Sequence, residues 1–412
     1  MQDSRSAPDR LSAPGLVARG VSDQHAGTKA CAPYDHVRVL TGELAPMLRE
    51  QVAFFAASAI RTPFQSNAWA SAFRAAESGE NHLPVEVIAY VDGEPVVILP
   101  LLACSVLGFR YLTWQAHSPS DYCAPLVAPH FLSRFEASDA TTLLRAVARQ
   151  LGNIDLVYLP KMQDRLGSAA NPLVTSDSWR YYAGSHAISI EGDWESFYGG
   201  IRSQRTRHTL KRKAKALQKM GRVAFVITHD PAQVARAVQD CMVMKAVQLA
   251  RDGHSNLFTD RRMNDALIRA MQALCPHGAW AASIELDGKS IAASFGMMEG
   301  DTWLLYQFAI SDGPESKNSP GQLLLVHLLE ECVGRGVKLL DLALGDEAYK
   351  FDWCNTHSQI KTTAIALTPV GYLAKLSLRM REQARIWLAR HPSVRKVAKR
   401  IKPILVRAGV KA

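Results

Sequence analysis

The chain has 412 residues, 48% of them apolar and 21% charged, which is long enough for two domains with sizeable cores and ordinary for a globular protein. No apolar run approaches the ~18 residues that cross a bilayer, and no leader pattern opens the sequence, so a cytoplasmic protein is expected. Seven scattered cysteines without a CxxC pair indicate neither a disulfide framework nor a zinc site, and no metal is expected. The net charge of +10 is unevenly placed: Tyr372–Ala412 holds twelve Lys/Arg and one acid, while the rest carries 36 basic and 37 acidic groups. The body is balanced and the excess belongs to the tail.

Residues 1–34 are rich in Ser, Ala, Pro and Gly without a period, and read as a disordered segment. Helices follow at Leu44–Ala59 and about Trp69–Glu77. Val85–Val91 and Glu94–Leu101 flank Asp92-Gly93, a strong hairpin signal. A strand at Phe109–Trp114, a helix at Thr141–Leu151 and a strand at Ile154–Leu159 complete a first α/β unit.

Arg202–Arg222 predicts a basic helix whose one apolar stripe is Leu210, Ala214 and Leu217. A strand at Val223–Thr228 and a helix at about Pro231–Ala250 come next. The first unit's order then returns, with Ala281–Leu286 and Lys289–Met297 around Asp287-Gly288, a third strand, a helix from Gln322 to Gly334, and a strand at Val337–Leu344. The fold class is therefore α/β with mixed sheets, in two copies of one unit. The expected divisions are 1–34 disordered, 35–190 first domain, 191–371 second and catalytic domain, and 372–412 a basic amphipathic tail.

Two places in the second unit suit chemistry. Ser319-Pro320-Gly321 reads as a serine N-cap with proline in the first turn, so the free amides and dipole of the following helix can hold phosphate. Gly345-Asp346-Glu347-Ala348-Tyr349-Lys350 lies beyond a strand's C-terminal end, where α/β folds bind ligands. Acyl transfer from a thioester needs a base, donors for an oxyanion and an acid for the thiolate. Asp346 or Glu347 supplies the first; Tyr349 and Lys350 serve the others or grip phosphate. Arg205 or Lys211 of the basic helix would assist Ser319 and Gly321 with the donor's phosphates. Ser118–Cys123 has an acid and a phenol and the composition of a cleft-lining loop; Cys123 has no sequence partner as a nucleophile.

The strand, Asp-Gly, strand order, the strand with Tyr306, SPG, the Gly336-to-Asp341 strand and GDEAYKFDW resemble CelD/BcsL-type acyltransferases, as does the RSQRTRHTLKRKAKALQKMG segment. Phe64-Gln65-Ser66, Trp69 and Ser120-Asp121-Tyr122 look like that family's N-terminal half. The resemblance covers about residues 40–370 and implies two tandem GNAT-like domains, similar to Fem-type transferases. It further implies transfer from an acyl-CoA, acetyl-CoA among the candidates, to an amine or hydroxyl of a sugar or a lipid-linked envelope or exopolysaccharide precursor. The glycine-rich pyrophosphate loop of ordinary GNAT enzymes is replaced by SPG, so a Fem-like aminoacyl-tRNA donor stays open. So does a non-catalytic, membrane-associated accessory role. Nucleic-acid binding is disfavoured, since no zinc finger, RRM signature or interleaved aromatics accompany the basic segments. The tail, with Trp387 and aliphatics among Arg and Lys, suits an anionic membrane surface, making the protein peripheral to the membrane's inner face.

Overall fold

The computed structural model describes residues 32–77, 79, 81–251 and 260–391. The disordered segment expected at 1–34 lies outside these residues save for its last three, of which Tyr34 is a core side chain. The end of the basic tail, from 392, also lies outside.

The first half comprises β1 (His36–Thr41), α1 (Pro46–Ser58), α2 (Asn67–Glu77), β2 (His82–Val91), β3 (Glu94–Val106), β4 (Phe109–Trp114), β5 (Leu126–Val127), α3 (Ala137–Leu151) and β6 (Leu156–Gln163). A small ribbon of β7 (Arg165–Leu166) and β8 (Ala169–Ala170) leads to β9 (Trp179–Ser189). The second half has α4 (Trp194–Ile201), α5 (Gln204–Gln218), β10 (Val223–Thr228), α6 (Pro231–Arg251), α7 (Arg261–Leu274), β11 (Ala279–Leu286), β12 (Lys289–Glu299) and β13 (Thr302–Ile310). It closes with α8 (Pro320–Gly334), β14 (Leu339–Leu344), α9 (Ala348–Trp353), β15 (Thr356–Ala366) and α10 (Pro369–Arg390). The mixed α/β class expected from sequence is the one observed.

Both hairpins turn where expected. Asp92 and Gly93 have φ of 50° and 81°, and Asp287 and Gly288 have 51° and 77°, the consecutive left-handed residues of a tight hairpin turn. Each half then contains one short parallel contact. β4 meets β6 at Tyr111–Leu156 and Leu112–Val157 only, and β13 meets β14 from Thr302–Leu339 to Leu304–Asp341. Beyond those pairs the strands diverge, leaving a wedge in the sheet of each half.

The sequence pattern does not reveal how the halves join. The sheet runs β1-β2-β3-β4-β6-β15-β9-β14-β13-β12-β11-β10, so the halves exchange their closing strands. β9, from the first half, pairs with β14, while β15, from the chain's far end, pairs with β6. β9 and β15 also pair with each other, making one continuous sheet of 13 strands among the described residues.

α6 and α7 cover one face of the second half and share their core with Phe64, Trp69 and Phe73 from the first. On the other face, α4, α5 and α8 pack over Trp280, Trp303 and Leu340. α10 crosses the expected boundary at 371–372 as one helix docked on the exchanged strands. Its Glu382, 4% exposed, accepts from Trp179 Nε1 at 2.6 Å and Thr362 Oγ1 at 3.3 Å.

Two measurements test this packing. A Cβ on Gly371 would lie 1.9 Å from the Asp155 carbonyl oxygen, so Gly371→Ala is expected to cost about 1–3 kcal/mol in urea unfolding. Gly334→Ala, with nothing within 4 Å, serves as its neutral control. The second concerns Glu86, 3% exposed and pushed up to about 7 by burial, against the pull of Arg74 and Gln115. The unfolded chain releases this proton near the ordinary glutamate value, about 4.3. Between roughly pH 4 and 7 the native state therefore holds the extra proton, and stability falls as pH rises, at most by about 4 kcal/mol. Glu86→Gln should flatten that part of the stability profile.

Candidate functional site

The wedge between β13 and β14 is where the second half's polar residues gather. β14 bends at Ala343, whose φ of 60° breaks the register between Asp341 and Leu344 against β9. The bend frees the Ala343 and Leu344 carbonyls from the ladder. Lys350, 2% exposed, reaches back from α9 to both, at 3.3 and 3.1 Å, and to Glu347 Oε2 at 3.0 Å. Its three protons are thereby occupied. Lys350 holds the bend here, where it was expected as an acid or a phosphate ligand. Lys161 does the same in the first half: its φ is 62° and its Nζ bonds the carbonyls of His117, Ser118 and Ser120.

The Ser118–Cys123 loop fills this wedge from the first half. Tyr122 donates to Asp341 Oδ1 at 2.9 Å and lies 2.7 Å from Ser185 Oγ; the same Asp341 oxygen accepts from the Ala343 amide at 2.7 Å. Tyr306 donates to the Pro119 carbonyl at 2.6 Å, and Trp69 Nε1 to Ser120 Oγ at 3.0 Å. The motif residues of the two halves thus form one polar seam. Burial pushes both Asp121 and Asp341 up to about 6, although Lys350 pulls each down. Cys123 is buried and its thiol is pushed up to about 12 by desolvation, which removes it as a nucleophile.

Asp346 is placed differently from a free base. Its Oδ1 accepts from the Gly184 amide at 3.0 Å and lies 2.8 Å from His186 Nε2. Burial raises its pKa, but the bonds from His186 and Gly184 outweigh that and bring it below the usual aspartate range. His186 Nδ1 is in turn 2.8 Å from His357 Nδ1, and Phe351 of α9 packs against both rings. An ionised Asp346 only accepts, so His186 Nε2 carries hydrogen. One of the two facing Nδ1 atoms donates to the other, and His357 lies on a stretch of β15, Thr356–Gln359, that is exposed. Asp346 anchors this chain of side chains and His357 is its outer end. Of the expected bases, Glu347 pairs with Lys350.

The donor-side residues are also redistributed. Ser319 occupies the N-cap position of α8, but its backbone is left-handed (φ 52°, ψ 51°) and its side chain makes no cap bond. Instead Ser319 Oγ accepts from Lys213 Nζ. The basic helix therefore does lie against the α8 start, through Lys213; Arg205 and Lys211 are solvent-exposed. The first backbone bond of α8 runs from the Leu323 amide to the Ser319 carbonyl, so the Gly321 and Gln322 amides precede the ladder. A Cβ on Gly321 would lie 2.9 Å from the Phe308 ring. That glycine allows α8 to approach β13, and Phe308 stacks on Tyr349 at 6.0 Å. Tyr349, on α9, thus packs against β13 through Phe308, and burial raises its pKa.

Sequence reasoning missed His186, His357 and Lys213 as partners. The two histidines stand 171 positions apart and carry no local motif. Only the β9–β15 register, which pairs His357 with His186, makes them neighbours.

Residues 204–351, spanning the α5-to-α9 site, match the family model described as an acetyltransferase (GNAT) domain. None of the curated sequences compared matches the chain. Among solved structures it is similar to FemX, at 11% identity over 78% of this chain and 96% of that one, with a TM-score of 0.50. It is also similar to L-PGS from Bacillus licheniformis (9% identity, 82% and 97% covered, TM-score 0.48). A third neighbour is a tandem GNAT protein of clavulanic acid biosynthesis (13%, 80% and 100%, TM-score 0.41). The FemX likeness is one of fold.

The seam's weight in stability is measurable. Tyr122→Phe removes a buried bond to Asp341 and is expected to lower unfolding free energy by about 1–3 kcal/mol without altering the far-UV spectrum.

Proposed function

With an acetyltransferase (GNAT) domain over residues 204–351 as the premise, we propose that the protein moves an acyl group from a thioester, acyl-CoA in the first instance, to an amine or hydroxyl acceptor. The observation that carries the reading is the Asp346–His186–His357 chain, which presents His357 at the exposed start of β15; in this reading His357 carries its hydrogen on Nδ1. His357 Nε2 takes the acceptor's proton as the acceptor attacks the thioester carbonyl. The Nδ1 proton of His357 then passes to His186, so the positive charge comes to rest against ionised Asp346. The tetrahedral intermediate collapses by breaking the C–S bond, and the departing thiolate is protonated by solvent or Tyr349. No covalent enzyme intermediate is needed, in keeping with the buried, high-pKa Cys123.

The donor's phosphates fit the start of α8, where the Gly321 and Gln322 amides and the Lys213 ammonium offer an anion site. The GDEAYKFDW resemblance points to a sugar or lipid-linked envelope or exopolysaccharide precursor as the acceptor class.

Kinetics with purified protein separate these roles. His357→Gln is expected to lower kcat by about 10²–10⁴-fold with the donor KM unchanged. Lys213→Ala should raise the donor KM by about ten-fold or more and leave kcat nearly intact. Turnover that survives in His357→Gln would remove the relay from the mechanism. Mass spectrometry of the protein isolated from its host identifies the donor; a retained aminoacyl ester in place of an acyl thioester would redirect the reading to aminoacyl transfer.

A further inference from the structure

α10 has two opposed faces. One is seated on the sheet: Gly371 lies against Asp155, Ala374 and Leu378 pack near Leu156 and Trp179, and Glu382 is buried among Trp179, Tyr158 and Thr362. The other exposes large apolar side chains in helical register. Leu373, Leu376, Met380 and Trp387 fall at i, i+3, i+7 and i+14 and are 66%, 44%, 54% and 50% exposed. Val370 and Tyr372 extend the stripe at its start. An apolar row on a helix already docked by its other side is not needed for folding, and water is a poor partner for it.

The charge around the stripe identifies what covers it. α10 carries five Lys/Arg, of which Lys375 and Arg379 pair with Asp177 and Arg385 lies over the Tyr182 ring, and its single acid, Glu382, points inward. Residues 392–412, outside the described part, add seven more basic residues and no acid. A second copy of the chain would bring the same cationic surface against this one, so like charges oppose pairing. Nucleic acid satisfies the charge but not the aliphatic row, and Trp387 is already stacked on His391 at 4.3 Å. An anionic lipid bilayer satisfies both, with aliphatics entering the acyl boundary and Lys/Arg meeting headgroups.

We propose that α10 is an interfacial helix that seats the protein on an anionic lipid surface through Leu373, Leu376, Met380 and Trp387. This goes beyond the acyl-transfer reading and does not depend on it. The docked face fixes the geometry: the bilayer lies on the outer side of α10, and the exchanged strands β9 and β15 lie on its inner side, through Trp179 and Thr362.

Flotation of the full chain with vesicles tests the proposal. The wild type is expected to float with vesicles of phosphatidylcholine containing 30 mol% phosphatidylglycerol, and at least ten-fold less with phosphatidylcholine alone. Raising salt from 50 to 300 mM should weaken binding several-fold. Leu373→Ser/Met380→Ser/Trp387→Ser, checked for an unchanged unfolding midpoint, should lose at least ten-fold in partitioning to the anionic vesicles. Absence of wild-type binding, or equal binding by the triple variant, overturns the proposal. So does a stable dimer, seen by light scattering and abolished in the variant, that does not bind vesicles. Preferential binding of RNA, unaffected by the three substitutions, also overturns it.

Discussion

The divergence of β13 from β14 after three residue pairs is the constraint on which the site depends. A parallel pair that stops short leaves backbone groups unpaired and a gap in the sheet, and buried backbone polar groups must find partners. The protein meets this in two ways. Lys350 supplies protons to the freed carbonyls of Ala343 and Leu344, and the first half supplies the Ser118–Cys123 loop with Tyr122. The residues that answer a structural demand are thus the ones that give the site its ionisable character. Asp121 and Asp341 are raised because the loop that fills the gap also excludes water from it.

The same logic separates the anchoring residues from the reactive ones in GDEAYK. A charged side chain whose every proton or lone pair is engaged cannot also change protonation state cheaply. Lys350 is in that position, while Asp346 is held through one oxygen, Oδ1, by Gly184 and His186. In the proposed reaction the proton is taken up at the outer end of that chain, His357. The halves are near-repeats in outline, with matching hairpins, wedges and lysines at 161 and 350, but among the described residues it is the second half that ends in a carboxylate bonded to a histidine, Asp346 to His186. In the first half the corresponding ammonium closes on the loop carbonyls and stops there.

Much of the element order was legible because its signals are local. Asp92-Gly93 and Asp287-Gly288 require left-handed backbone and flank apolar runs, so both hairpins could be placed from two residues each. The basic helix and its apolar stripe were legible for the same reason, since Leu210 and Leu217 are its buried positions. The site was half legible. Asp346 and Tyr349 could be located at the strand end, but their roles depend on partners 160 and 41 positions away, His186 and Phe308. The left-handed Ser319 defeated the cap expectation, since a serine in that conformation turns its hydroxyl away from the helix amides and towards Lys213. Strand exchange was invisible, as an apolar strand carries no mark of which neighbour it will choose.

That exchange has a consequence for how the chain is made. β6 is complete by residue 163, yet the neighbour that closes its open edge begins at Thr356. A ribosome adding roughly 5–20 residues per second leaves that edge unprotected for ten seconds or more. An exposed strand edge is a template for pairing with the wrong chain. The first half must therefore wait for the second, and a nascent chain stalled before β15 is a species that chaperones have to recognise.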